Sequence, residues 1–152
     1  MLADPGKLDR TKYTREMLVR FVWYIFHALL EDEEVQKKGV IGIIYPRTTK
    51  FSEVEKKIMY MCTVSVKGCL PLRLSGFHVC HCPTMFRVIF PFVKMLMGPR
   101  LRKRLKLHYG SDKAVVKALK NFDINPEQIS ADMGGTWEYD HLKWIEERRN
   151  LE

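Results

Sequence analysis

The sequence predicts one α/β domain in which helices cover a small, mostly parallel β-sheet. The run Gly39–Ile44 is short, apolar on both faces and stopped by Pro46, which is typical of a central parallel strand. Two further strand-like runs follow, separated by helical patterns, and helical crossovers join parallel strands with right-handed connections. With 152 residues and 46% hydrophobic content, the chain is large enough for one core.

The first half of the chain is predicted to contain two helices. Residues 1–12 are polar, and we expect a loose arm there. Apolar side chains at helical spacing predict an amphipathic helix over Thr14–Glu31. Ser52 and Glu55 have the spacing of a capping box, which predicts a second helix that ends before Gly68.

The next elements are a strand over Gly76–Cys82, a Phe- and Met-rich helix over Thr84–Met97 and a second strand over Leu105–Tyr109. Pro91 lies inside that helix and should kink it or divide it in two. A short basic turn over Arg100–Arg104 connects the helix to the second strand.

A helix capped by Ser111, an irregular stretch over Pro126–Met133 and a C-terminal helix over Trp137–Asn150 complete the prediction. The C-terminal helix should be anchored by Trp144 and Ile145. The inward-facing side chains of the helix after Ser111 are predicted to be Val115, Val116, Leu119 and Phe122.

Charge and cysteine content limit the expected partners and the expected cellular location. A net charge of +8 and a pI near 9.4 indicate an anionic partner, either nucleic acid or an acidic membrane surface. The four cysteines lie in apolar runs and the first residues lack a secretory pattern, so we expect a reducing, cytoplasmic location. Arg87 and Lys94 interrupt the best candidate for a membrane span, which leaves a soluble or peripheral protein as the expectation.

His78, Cys80, His81 and Cys82 form the most obvious chemical cluster. Strand alternation places His78, Cys80 and Cys82 on one face and His81 on the other, so convergence on a metal is not expected. The carboxylates show no catalytic pairing, and glycine-rich nucleotide motifs and G-x-S-x-G are missing from the sequence. We therefore expect neither an enzyme nor a metal or cofactor site.

A basic segment directly follows the apolar helix. The Phe- and Met-rich composition of that helix favours insertion among acyl chains over stacking on bases. The alternative is an ordinary solvated turn. The basic side chains are Lys94, Arg100, Arg102, Lys103, Arg104, Lys106 and His108.

Several short motifs occur in an order that resembles a known family. These are LPLR at Leu70–Arg73, then FHVCHCP, then VKMLMGP, then LRKRLKLHYG, and finally INPEQISADMGG. The series is similar to the C-terminal half of the CRAL-TRIO lipid-binding domain, found in phosphatidylinositol/phosphatidylcholine transfer proteins and in α-tocopherol and retinaldehyde carriers. The likeness covers Thr14–Gly135, so we expect a shortened domain over residues 13–136 and a helical extension over residues 137–152.

The resemblance implies a hydrophobic cavity over a parallel sheet, closed by a gate helix, here Thr84–Met97. Side chains expected to line or gate the cavity are Phe77, Val79, Phe86, Ile89, Phe90, Val93 and Met97. Side chains expected to meet headgroup or membrane phosphates are Arg73, Arg100, Arg102, Lys103 and Arg104. Leu72 stands where the family has an acidic residue of its inositol-lipid site, so phosphatidylinositol specificity is not expected.

The expected function is thus non-enzymatic lipid binding or transfer by a monomer that visits acidic membranes transiently, with a lipid as its ligand. One alternative is an interaction module that keeps the fold without a working cavity. A second is a basic nucleic-acid-binding protein, whose affinity would fall steeply with salt.

Overall fold

The computed structural model describes residues 2–66, 69–84 and 86–151. The chain divides into two compact units, Met1–His108 and Tyr109–Glu152. The first unit holds the sheet and the predicted gate. The proposed extension over residues 137–152 falls within the second unit.

Four strands form a single sheet in the first unit. They are β1 (Leu2–Ala3), β2 (Val40–Ile44), β3 (Leu74–Cys80) and β4 (Leu105–His108). Every neighbouring pair is parallel, and the strand order in space is the order in sequence. The predicted parallel α/β architecture is confirmed, with β2 between two neighbours as its apolar sequence indicates.

The prediction of a loose arm over residues 1–12 is wrong. Leu2 and Ala3 pair with Ile43 and Ile44, and the backbone N–H of Tyr45 donates to the Ala3 carbonyl at 2.8 Å. This pairing satisfies backbone groups along an edge of β2 that would otherwise need water or another partner.

Helix α1 (Arg15–Leu29) confirms the first predicted helix. Its N-terminus is capped by the Thr14 hydroxyl, which accepts a hydrogen bond from the Met17 N–H at 3.2 Å. A short helix, α2 (Glu33–Lys38), occupies the charged segment before β2 and was not predicted. It ends at Gly39, whose φ of 88° is readily adopted only without a Cβ.

Helix α3 (Lys56–Val66) begins later than the predicted capping box. Ser52 lies instead in a 3-10 turn over Phe51–Glu53. Glu55 does not cap, because its carboxylate accepts hydrogen bonds from the guanidinium groups of Arg10 and Arg15. The sequence pattern of a capping box was therefore misleading here. The helix is described as far as Val66, and the predicted end before Gly68 lies beside residues 67–68, which are outside the described ranges.

Helix α4 (Phe86–Arg104) follows β3 and contains the gate helix as residues 86–97. The interruption of α4 lies at Gly98, with φ 69° and ψ 170°, so the prediction that Pro91 could divide the helix in two is wrong. Pro91 is exposed near the start of α4, so the carbonyl that loses its partner there can be solvated. The expected basic turn over Arg100–Arg104 is also wrong, because those residues form a second helical segment of α4.

In the second unit, α5 (Asp112–Lys120) buries Val115 and Leu119 completely. Phe122 is 38% exposed, so its predicted inward placement is wrong. Ile145, predicted as an apolar anchor of the C-terminal helix, is also 38% exposed. Helix α6 (His141–Arg149) begins four residues later than expected. The reason is local: Trp137 forms a bridge with Ser130, and the Asp140 carboxylate caps the helix.

Candidate functional site

One face of the sheet forms an apolar floor. Strand alternation directs Phe77 and Val79 of β3 to this face, opposite Leu105 and Leu107 of β4. Gly42 of β2 lies beside the Phe77 ring, and a Cβ at that position would come within 2.9 Å of it. A larger residue at position 42 would therefore displace the ring.

The gate helix packs directly on this floor. Its Phe90 and Met97 form a buried cluster with Val79, Cys82 and Leu105. Phe86 and Val93 pack against the same cluster, as does Phe77. The structure thus brings together six of the seven predicted cavity or gate residues, and Ile89 is also buried on the gate helix. In this conformation protein side chains occupy the space over the floor.

The opposite side of the gate helix is exposed and partly apolar. Val88 is 76% exposed and Met95 is 62% exposed, although both are large hydrophobic residues. Arg87 and Lys94 are exposed beside them in the sequence. The helix therefore carries one apolar face towards the floor and a second, cation-flanked apolar face towards solvent.

The end of the gate helix is held by an unexpected side chain. Pro99 has no N–H, so the Met95 carbonyl lacks its normal helical donor four residues later. Arg102 supplies donors from the second segment of α4: its Nε donates to the Lys94 carbonyl and its Nη2 to the Met95 carbonyl at 3.4 Å. Arg102 is exposed to solvent, but its guanidinium group therefore also contacts the protein backbone.

The remaining predicted phosphate contacts have different surroundings. Arg104 is half-buried, and its Nη1 donates to the Leu74 carbonyl at 2.5 Å, which connects the end of α4 to the start of β3. Arg73 directly precedes Leu74 and is exposed, as are Arg100 and Lys103. Four of the five cationic residues, Arg102 among them, are thus exposed in this conformation.

The other face of the sheet contains a buried histidine pair. Nδ1 of His78 lies 2.9 Å from Nε2 of His108, and the two rings are stacked 5.1 Å apart. Burial lowers the pKa of His78 to about 4, with a smaller contribution from the charges of His108 and Lys106. Burial also lowers the pKa of His108.

The predicted chemical cluster is divided by the end of β3. His81 has a φ of 51° and packs edge-on against Tyr45. That turn carries Cys82 into the gate-side cluster, so the prediction that Cys82 shares a face with His78 and Cys80 is wrong. Burial raises the pKa of the Cys80 thiol to about 12. Across the described ranges, no three His, Cys, Asp or Glu side chains are grouped closely enough to hold a metal ion.

A separate cavity of about 260 Å³ lies near the start of α1 and α3. Hydrogen bonds from Arg15 and Arg10 lower the pKa of Glu55, which lines it. The lining is mostly polar, and no residue of it belongs to the described part of the gate helix. The lining residues are Arg10, Tyr13, Thr14, Arg15, Glu16, Glu55 and Ile58.

Sequence reasoning missed the backbone contacts of Arg102 and the pairing of His78 with His108. A usable signal for the first was Gly98-Pro99, which ends a helix and removes a donor before a basic residue. The pairing of His78 with His108 joins residues 30 positions apart and depends on strand register.

The described helices include none with the length and apolarity needed to cross a membrane.

Comparison with known proteins places these features in a family. The sequence model of the CRAL/TRIO domain matches residues 1–135, so the likeness begins before Thr14, where it was expected to begin. Clavesin-2 of Homo sapiens is 26% identical over 130 residues, which is 84% of this chain and 38% of that relative. Clavesin-1 of Rattus norvegicus is 26% identical over 148 residues, which is 95% of this chain and 40% of that relative. The chain spans about two fifths of the length of these relatives. Because the family match extends over most of its residues, this chain belongs to the CRAL/TRIO domain family.

Proposed function

We propose that this chain binds a hydrophobic lipid, such as a phospholipid, between the gate helix and the sheet, and exchanges it at acidic membrane surfaces. It acts by binding and release rather than by catalysis. Membership of the CRAL/TRIO family supports lipid binding at the level of the family. The exchange step rests on the geometry of the gate helix.

The observation that carries the proposal is the pair of apolar faces on one helix. Phe90 and Met97 cover the floor, whereas Val88 and Met95 are exposed on the outer side. A helix lying in a membrane interface inserts such apolar side chains at the acyl boundary and directs its cations towards phosphates. The outer face of the gate helix therefore suits a membrane surface while its inner face closes the floor.

Opening the gate would uncover Phe77, Val79, Leu105 and Leu107. Exposing this floor to water is unfavourable by about 25 cal/mol for each Å² of apolar surface. An acyl chain can cover the floor in place of Phe90 and Met97, which removes that penalty. Insertion of Val88 and Met95 into the membrane favours the same displaced position, so contact with a membrane and entry of a lipid are coupled.

The same proposal specifies where the protein works. A net charge of +8 and the exposed Arg73, Arg100 and Lys103 favour transient peripheral association with the acidic cytoplasmic surfaces of membranes. We propose that the chain acts there as a monomer and without nucleic acid.

A second candidate function has one observation in its favour. The floor is filled by the gate helix, and the 260 Å³ cavity lies elsewhere. A closed domain of this kind could serve as an interaction module that holds no lipid. The two candidates differ in whether the purified protein contains or takes up lipid.

Lipid extraction followed by mass spectrometry tests the proposal. The purified chain, alone or after incubation with mixed phospholipid vesicles, should yield lipid near one molecule per chain. Val88→Asp places a charge on the exposed outer face, so it should lose vesicle binding and take up less lipid from vesicles, because membrane contact and lipid entry are coupled. Val79→Thr keeps nearly the same shape but adds a polar group beneath the gate, so it should lower lipid recovery. Protein that yields no lipid under either condition would favour the interaction module.

A further inference from the structure

The break in α4 leaves backbone carbonyls that need partners. Gly98 has φ 69° and ψ 170°, a conformation that residues with a Cβ rarely adopt. Pro99 cannot donate to the Met95 carbonyl. The last turn of the gate helix therefore ends with acceptors that normal helical hydrogen bonding does not fully satisfy.

Arg102 satisfies two of these acceptors from the far side of the break. Its Nε and Nη2 donate to the carbonyls of Lys94 and Met95, which lie eight and seven residues earlier. These contacts join the gate helix to the second segment of α4 across Gly98. A side chain that bridges a hinge in this way favours one angle between the two segments.

We propose that Arg102 is a positioning residue that holds the gate helix closed, and that phosphate groups of an acidic membrane release it. The inference rests on the proposed function, because it concerns regulation of the same gate. It assigns Arg102 a role distinct from that of its exposed neighbours Arg100 and Lys103.

The chemistry of guanidinium groups supports an exchange of partners. Arginine binds phosphate in a planar, bidentate and charge-assisted arrangement, which is stronger than its bonds to neutral carbonyls. Arg102 is exposed, so a phosphate can reach it. Arg100 and Lys103 are exposed in the same helical segment and raise the local positive potential that attracts an anionic surface.

Release of Arg102 would weaken the closed state. The Lys94 and Met95 carbonyls can then be hydrated, and the hinge at Gly98 loses the bridge that fixes its angle. The gate helix would leave the floor more often where phosphates are dense and would stay closed in solution. This difference would direct lipid exchange to acidic membranes.

Hydrogen–deuterium exchange of residues 86–97 tests the proposal on the whole chain. In buffer, Arg102→Gln should exchange about tenfold faster than the unmodified chain, because two charge-assisted hydrogen bonds are lost. Arg100→Gln removes the same charge from an exposed position and should leave exchange in buffer unchanged. Arg102→Lys keeps the charge with fewer donors and should give an intermediate rate.

Experiments with vesicles of different composition identify which phosphate groups release Arg102. Vesicles of phosphatidylcholine with a minority of phosphatidylserine should accelerate exchange in the unmodified chain, while pure phosphatidylcholine vesicles or inorganic phosphate should not. Arg102→Gln should show little further acceleration on the acidic vesicles. Equal exchange of Arg102→Gln and Arg100→Gln in buffer would overturn the positioning role, and full acceleration by inorganic phosphate would overturn the membrane as the trigger. Neither of these two contradicting results would change how much lipid is recovered by extraction. Lipid extraction therefore tests the proposed function separately.

Discussion

Nδ1 of His78 and Nε2 of His108 lie 2.9 Å apart on the face of the sheet that faces away from the gate helix. One of these nitrogens donates and the other accepts, so the pair requires at least one neutral ring. The rings are nearly parallel, at an interplanar angle of 9°. The contact joins β3 to β4, the two strands that form the floor under the gate.

This histidine pair predicts a loss of stability in mild acid. The pKa of His78 is lowered from 6.5 to about 4 in the fold, so below pH 6.5 the unfolded chain binds a proton that the folded chain does not. The free energy of unfolding should therefore fall as the pH decreases from 6.5 towards 4, by about 3 kcal/mol from His78. Urea unfolding at a series of pH values measures this dependence.

Two variants make the pH measurement specific. His78→Phe keeps a stacked ring and should remove the part of the dependence between pH 6.5 and 4 that comes from His78, leaving only the part that comes from the lowered pKa of His108. His141→Asn alters an exposed histidine at the start of α6 and serves as the comparison variant. An unaltered dependence in His78→Phe would contradict the assignment.

The closed gate predicts unequal effects of alanine on its two faces. Phe90→Ala removes a buried ring from the cluster on the floor and should lower the free energy of unfolding by about 3–5 kcal/mol. Val88→Ala lies two residues earlier on the exposed side and should change it by less than about 0.5 kcal/mol. Chemical denaturation of both variants checks this, and similar losses would mean that the helix does not cover the sheet as described.

The hinge predicts opposite effects of alanine at two positions of α4. Gly98→Ala forces a Cβ into a glycine conformation and should lower the free energy of unfolding by about 2 kcal/mol. Pro91→Ala restores a helical donor and should raise it by about 1 kcal/mol. Thermal and urea unfolding provide the comparison. A stable Gly98→Ala variant would show that the break does not require its positive φ.

The outer face of the gate predicts an effect on membrane binding without an effect on folding. Replacing both Val88 and Met95 by serine removes two exposed apolar side chains and should reduce partitioning onto acidic vesicles about tenfold or more. The melting temperature should barely change. Leu142→Ser alters an exposed apolar residue of α6 and serves as the control. Equal losses in both proteins would point to non-specific adsorption.

The architecture followed from sequence where one physical signal dominated. The short, continuous apolar run of β2 is typical of a strand buried on both faces, and the apolar spacing of α1 indicates an amphipathic helix. Tertiary contacts decided the rest. Glu55 matched a capping box but pairs with Arg10 and Arg15, which are distant in sequence. The two residues of β1 were too few to show a pattern.

The candidate site was predictable to a similar extent. Periodicity identified the inward side chains of the gate helix, because burial on one helical face follows from spacing. Charge alone could not separate Arg102, which contacts backbone carbonyls, from the exposed Arg100. That distinction depends on how Gly98 redirects the chain. Likewise, strand alternation wrongly grouped Cys82 with Cys80, because the turn at His81 ends the alternation.

Transfer of a fluorescent phospholipid from donor to acceptor vesicles tests the central claim most directly. The chain should accelerate transfer above the protein-free rate, more strongly with acidic than with neutral acceptors. The double serine variant at Val88 and Met95 should lose most of this acceleration, because its outer face no longer inserts. Transfer at the protein-free rate, or acceleration that the double variant retains in full, would contradict a gate that opens on membranes.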